Sequence, residues 1–125
     1  VGAGRHIGDC YEQSQTFTEY CDAMGASTVT SYAAQQGGHF SHVPHVGQTG
    51  QVIQPALYLA CAISGAVQHM TGVIDSQVIV AINASASAPI MWQSDYSLIM
   101  DWQAALSDIS ERIAISYQSK ETLCT

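Results

Sequence analysis

Positive charge is the scarcest property of this chain. Of its 125 residues only three, Arg5, Arg112 and Lys120, are lysine or arginine, against ten acidic residues and a formal charge of −7. A nucleic-acid surface works by counterion release to clustered cations, so that class of partner is excluded. Charged residues of both signs make up 10% of the chain, where an exposed domain surface carries roughly 25–35%. One face is therefore expected to be covered by something else, although Ser, Gln and Thr are plentiful enough to solvate part of it. Cysteine is present at positions 10, 21, 61 and 124, without C-x-x-C spacing or a dense disulfide framework, which leaves reduced thiols. Cys10 and Cys21 on one helix would stand about 16 Å apart, beyond the reach of a disulfide. Cys61 lies inside an apolar run and is expected to act as a small core residue. No apolar run approaches the length needed to span a bilayer, and no signal-peptide pattern is present, so membrane insertion is not expected. Catalytic constellations are missing too. Ser64 sits in no G-x-S-x-G elbow, and neither Asp75 nor Asp95 has an evident acid–base partner, so no substrate chemistry is expected.

What is there is apolar patterning. Hydrophobic residues make up 47% of the chain, enough for one domain with a real core. Phe17, Tyr20, Cys21 and Met24 recur at helical spacing before Gly25, predicting a helix from about Ser14 to Met24 closed by glycine at C′. A short strand is expected over Ala26–Thr30, a helical turn over Ala33–Gln36, and a long irregular loop over Gly37–Gly50, of a length that is usually functional. Strands follow at Leu57–Ile63, Gln77–Ile82 and around Ser97–Met100, with a helix over Gly65–Thr71. Trp102, Leu106, Ile109 and Ile113 form the stripe of a final helix, with Asp101 at its start. Alternating strands and short-linked helices give a parallel sheet with helices on both faces, and a ligand crevice beyond the carboxyl ends of the strands.

The turn after the Leu57–Ile63 run carries the chemistry. A helix opening off a buried strand leaves backbone N–H groups unpaired, which is a seat for phosphate. Ser64 is expected as its N-cap, and Gly65 as the point where a ligand approaches the backbone. His39, His42 and His45 form an H-x-x-H-x-x-H series, but loop spacing does not make three imidazoles converge on zinc. Gly2, Gly4 and Gly8 approximate a nicotinamide-binding G-x-G-x-x-G with the last interval one residue too long, and no acidic ribose reader follows except Asp22.

Residues 46 to 96 resemble the C-terminal, flavin-binding domain of the electron-transfer flavoprotein alpha subunit. The resemblance is carried by Val46-Gly47-Gln48-Thr49-Gly50, Pro55 with Leu57-Tyr58, Ile63-Ser64-Gly65-Ala66-Val67-Gln68-His69, Val80-Ala81-Ile82-Asn83, Ala88-Pro89-Ile90 and Asp95-Tyr96. It continues more weakly to Gly2-Ala3-Gly4-Arg5. It implies an α/β, Rossmann-like three-layer domain with a mainly parallel sheet, residues 1–125 being one FAD-binding unit. The abrupt start at Val1 suggests a piece of a longer alpha-type subunit. FAD is the implied cofactor, and the implied activity is electron shuttling rather than catalysis on a substrate of its own. The implied partners are a beta-type subunit, an acyl-CoA or other flavin dehydrogenase as donor and a quinone oxidoreductase-type acceptor. Bacterial cytoplasm or mitochondrial matrix is the implied compartment.

The same resemblance assigns roles to residues. Arg5 and Ser31 go to the pyrophosphate, with the Ser64, Gly65 and Ala66 turn, and Gln68 is counted among the cofactor-binding residues. Gln48, Thr49 and Gly50 wrap the flavin ring, with Thr49 bonding N5 and His69 donating at the O2 edge. Asn83 and Asp95 contact the adenosine half. Tyr32 stands where the family commonly has an arginine over the flavin, and cannot supply the cation that favours a negatively charged ring. His45 replaces a glutamine common among relatives, and Ser85 an aspartate. These departures favour the alternative of a homologue that keeps the fold with weak or lost flavin binding, as a structural or AMP-binding module. A nicotinamide-dependent oxidoreductase rests only on the imperfect glycine spacing.

Overall fold

Two-residue periodicity through the apolar runs sets the architecture. In the computed structural model, which describes residues 1–124 with the side chains at 117 and from 119 onward left aside, Lys120 and the Cys124 thiol lie outside the described residues. Five parallel strands form one sheet in the order β2-β1-β3-β4-β5. The strands are β1 (Gly2–Ala3), β2 (Val29–Thr30), β3 (Leu57–Cys61), β4 (Val78–Asn83) and β5 (Tyr96–Ile99). Between and after them run α1 (Arg5–Gly8), α2 (Tyr11–Met24), α3 (Tyr32–Gln36), α4 (Val67–Met70), α5 (Ile90–Gln93) and α6 (Trp102–Cys124). The α/β class with helices on both faces is as the sequence pattern implies.

Alternate residues of β3 and β4 feed opposite cores. Cys61 and Ile82 join Ala3 beneath α2 and α6, packed with Phe17, Cys21, Trp102 and Leu106. Tyr58, Ala60, Ile79 and Ala81 face the other way, against Val46, Val73 and Ile90. Cys61 is fully buried, the small core residue expected, and burial pushes its thiol up to about 12. Cys10, Cys21 and Cys61 are free thiols.

Several boundaries move for identifiable reasons. Helix α2 starts at Tyr11, three residues before the expected Ser14, because its first turn is polar and carries no apolar stripe. Its far end is as read: Gly25 adopts φ 66 and its N–H and that of Ala26 return to Asp22 and Cys21, the Schellman arrangement. Strand β2 shrinks to two residues, since β1 offers only Gly2 and Ala3 for pairing. Leu57, read as buried on both faces, is exposed at the strand's start. Asp101 does start α6, accepting the Ala104 N–H at 3.2 Å.

The largest correction is at the turn. Helix α4 begins at Val67 with Ala66 as its N-cap and no side-chain cap bond, so Ser64 does not cap it. Ser64 instead gives its carbonyl to the Ile90 N–H of α5 at 2.9 Å. Ahead of it, Ala62 holds φ 55, the one non-glycine residue described with positive φ. An alanine in that region costs about 1–2 kcal/mol. Ala62→Gly is therefore expected to raise folding stability by about 0.5–1 kcal/mol, after allowing for the extra freedom of glycine in the unfolded chain. A higher urea midpoint checks it, and a lower one would contradict the left-handed conformation.

Candidate functional site

Strand order reverses between β1 and β3: the chain leaves β1 toward β2 on one side and later returns to β3 on the other. Open parallel sheets bind ligands at such a point, beyond the carboxyl ends of the strands. A cleft of about 630 Å³ lies there. Its walls are the starts of three short helices, each following a strand: Gly4-Arg5-His6, Ser31-Tyr32-Ala33, and the Ser64–His69 turn with α4. The loop Val46-Gly47-Gln48-Thr49 closes the fourth side.

Among the described residues, the N–H groups of Arg5, His6, Tyr32, Ala33, Ser64, Gly65 and Ala66 have no acceptor in the chain. Donors gathered from three helix starts make an anion seat. Ser31 caps α3, accepting the Ala34 N–H at 3.1 Å. Arg5 is the cation of this wall. Its side chain is 74% exposed and its Nε sits 3.4 Å from Asp9, a surface pair weak enough to be exchanged for a ligand.

The loop from Val46 is stitched to α4. The Gln48 N–H donates to the Gln68 carbonyl at 2.7 Å, and a β-carbon on Gly47 would stand 2.5 Å from that same carbonyl. Thr49 is exposed, its hydroxyl 3.4 Å from His45 Nε2. Tyr32 is 57% exposed and meets the edge of His45 at 5.5 Å between ring centroids.

Arg5, Ser31, Tyr32, Gln48, Thr49, Ser64, Ala66, Gln68 and His69 are thus brought together around one cleft. Four expected residues are not. Gly50 packs against the His45 carbonyl, outside the lining. Gly65 has φ 91, but the space beside its α-carbon is filled by Ile90 and Gln93 of α5, so its glycine character serves helix packing rather than ligand approach. Asn83 ends β4 at the carboxyl edge, where its amide donates to the Ile63 carbonyl at 3.1 Å and accepts from the Ser85 N–H at 2.9 Å. Asp95 is at the wrong end of the sheet. It precedes β5, and its carboxylate accepts the N–H of Ile79, near the start of β4, at 2.7 Å. The carboxylate beyond the carboxyl end of β5 is Asp101. Applying the carboxyl-end rule to β5 would have found it.

His69 also differs from expectation. It is buried, with Nε2 2.8 Å from the Tyr58 hydroxyl and Nδ1 3.1 Å from the Val46 carbonyl. A carbonyl only accepts, so Nδ1 carries the proton and Nε2 receives the Tyr58 O–H. Both ring nitrogens are spent, and His69 has no donor left for a ligand. Burial holds its pKa below the ordinary histidine range, against the opposing pull of the Val46 carbonyl. The histidine series is dispersed: His39 packs on Tyr11 and His45 on Tyr32. Among the described residues no group of three or more metal-ligating side chains comes together.

The family described as electron transfer flavoprotein FAD-binding domain matches residues 1–74. The electron transfer flavoprotein subunit alpha of Paracoccus denitrificans is 40% identical over 113 residues, covering 90% of this chain and 36% of that protein. The protein FixB of Clostridium saccharobutylicum is 38% identical over 109 residues, 87% of this chain and 32% of its own length. The mitochondrial alpha subunit of Oryza sativa subsp. japonica is 35% identical over 102 residues, 82% and 28% respectively. The chain spans about a third of the length of these relatives. It belongs to the electron transfer flavoprotein FAD-binding domain family.

Proposed function

We propose that the cleft between β1 and β3 holds FAD, and that the chain is the flavin-carrying domain of an alpha-type electron-transfer flavoprotein subunit. It would pass electrons from a dehydrogenase to a quinone oxidoreductase-type acceptor beside a beta-type subunit. The observation that carries this reading is the convergence of three helix starts, with their unpaired amides, on one cleft at the strand-order switch. The donor set fits a diphosphate. Membership of a family described as an FAD-binding domain supports FAD as the dinucleotide.

The isoalloxazine ring supplies the redox chemistry when bound, and the protein supplies position and electrostatics. The amides at Ser64 and Ala66 and the Arg5 guanidinium take the diphosphate. Gln48 and Thr49, on the loop that closes the cleft, meet the flavin ring. Asn83 and Asp101 flank the adenosine end, Asp101 with its Oδ1 free once Oδ2 has capped α6. A second subunit has a surface to use: β5 is an open sheet edge exposed along its length, and Trp92 of α5 is 84% exposed. No helix among the described residues is long and apolar enough to cross a membrane.

Titrating the protein with FAD, followed by flavin fluorescence and by release on denaturation, tests the reading at one cofactor per chain. Asp101→Ala is expected to weaken FAD binding by about tenfold or more, the value of a hydrogen bond to a charged group, whereas Asp95→Ala leaves it unchanged. Loss on Asp95→Ala alone would move the adenosine site to the other end of the sheet. Protein that refuses added FAD supports the alternative of a fold retained without the flavin, to which Tyr32, His45 and Ser85 would then point.

A further inference from the structure

We infer that Tyr58 is a positioning residue of the cleft: its hydroxyl fixes the ring of His69, and through that ring's Nδ1–H the carbonyl of Val46, setting the loop that carries Gln48 and Thr49. Tyr58 lies outside the cleft lining, fully buried as the second residue of β3. A buried tyrosine hydroxyl needs a hydrogen-bond partner, and His69 Nε2 stands 2.8 Å from it. The fold makes room for this bond. A β-carbon on Gly2 of β1 would stand 2.0 Å from the Tyr58 hydroxyl, so glycine at the neighbouring strand is what lets the phenol lie there.

The chain of contacts runs in one direction. Tyr58 O–H donates to His69 Nε2, His69 Nδ1–H donates to the Val46 carbonyl, and the loop beyond Val46 is pinned again by Gln48 N–H on the Gln68 carbonyl. Removing the first donor leaves Nε2 a buried lone pair without a partner, and the ring loses the contact that selects its rotamer. Among the described residues no charged group acts on the ring. Tyr58 is its titratable neighbour on β3, and Val46 and Gly47 of the loop lie against it. His69 is thereby held as the neutral Nδ1–H tautomer, with no ring donor left for the cleft.

The consequence for FAD rests on the reading above, but the state of the ring does not, so the test is made first without cofactor. Nitrogen-15 spectra of the histidine rings, with His69 assigned by His69→Gln, are expected to show a protonated Nδ1 and an unprotonated Nε2. The ring should stay neutral to well below the ordinary histidine pKa of about 6.5. In Tyr58→Phe the neutral form loses its donor, so His69 takes its second proton at higher pH than in the unaltered protein. FAD binding then becomes about three- to tenfold weaker as the loop loosens. A His69 that carries its proton on Nε2, or titrates in the ordinary range, overturns the inference in the unaltered protein even if the variant does not fold. An unmoved titration in folded Tyr58→Phe overturns it as well. Should FAD not bind at all, the functional reading fails while the ring measurement still decides this one.

Discussion

Replacing Gly4 by alanine is expected to destabilise the fold by about 3 kcal/mol and to abolish FAD binding. A β-carbon there would stand 1.9 Å from the Ala62 carbonyl oxygen and 2.5 Å from its carbon. These are backbone atoms, which cannot rotate away as a side chain would, so the cost falls at the upper end of the roughly 1–3 kcal/mol typical of overpacking. Moving β1 from β3 to relieve the contact would sacrifice the Gly4 N–H bond to the Cys61 carbonyl at 2.9 Å. Against a total stability of about 5–15 kcal/mol for a domain of this kind, that is a large share. Gly4 and Ala62 both line the cleft, so the shift that accommodates the methyl group also displaces the amides of Arg5 and His6. Urea unfolding and FAD titration read the two effects. Gly25→Ala is the control: Gly25 has positive φ but nothing within 4 Å of the added atom, so it should cost only about 1–2 kcal/mol and spare FAD. A Gly4→Ala protein with an unaltered midpoint would mean that the chain does not pass Ala62 as closely as described.

The elements with a strong period were legible in the sequence, and those made by close approach were not. The apolar runs of β3 and β4 and the stripe from Trp102 sort residues by face, and the structure buries Trp102 and Leu106 as that stripe requires. Strand β1 was not legible, because two residues, one of them glycine, carry no period; its central place comes from pairing on both sides. Phe40 was hidden in a loop of glycine and histidine, yet it is buried against Phe17. Within the site, the amides of the Ser64 turn follow from strand–turn–helix order alone, while the loss of Ser64 as a cap depends on α5 reaching back to its carbonyl. Asp95 went astray because linear order says that it adjoins a strand and says nothing of which end faces the cleft. The saturation of His69 depends on Tyr58, eleven residues away, a distance across which no local pattern speaks.

Phe17→Ala should separate stability from binding. Phe17 is fully buried and meets Phe40 edge-on at 6.1 Å and Trp102 at 5.7 Å, so one ring joins α2 to the long loop and to α6. Its removal is expected to cost about 4 kcal/mol, from lost transfer free energy and a cavity that helices anchored at both ends cannot fully close. That core lies on one face of the sheet, whereas Val46, Tyr58 and Ile90, which support the loop and turn around the cleft, lie on the other. In the folded fraction at low temperature, the FAD dissociation constant should therefore stay within about twofold of the unaltered protein, a difference under half a kcal/mol. Gly4→Ala strikes the edge where the sheet and the cleft meet, and loses both properties. Phe17→Ala strikes beneath the sheet, and loses one. If affinity instead falls in step with stability for Phe17→Ala, the two cores are one cooperative unit, and the cleft is held open by the packing of α2 and α6 as much as by its own loops.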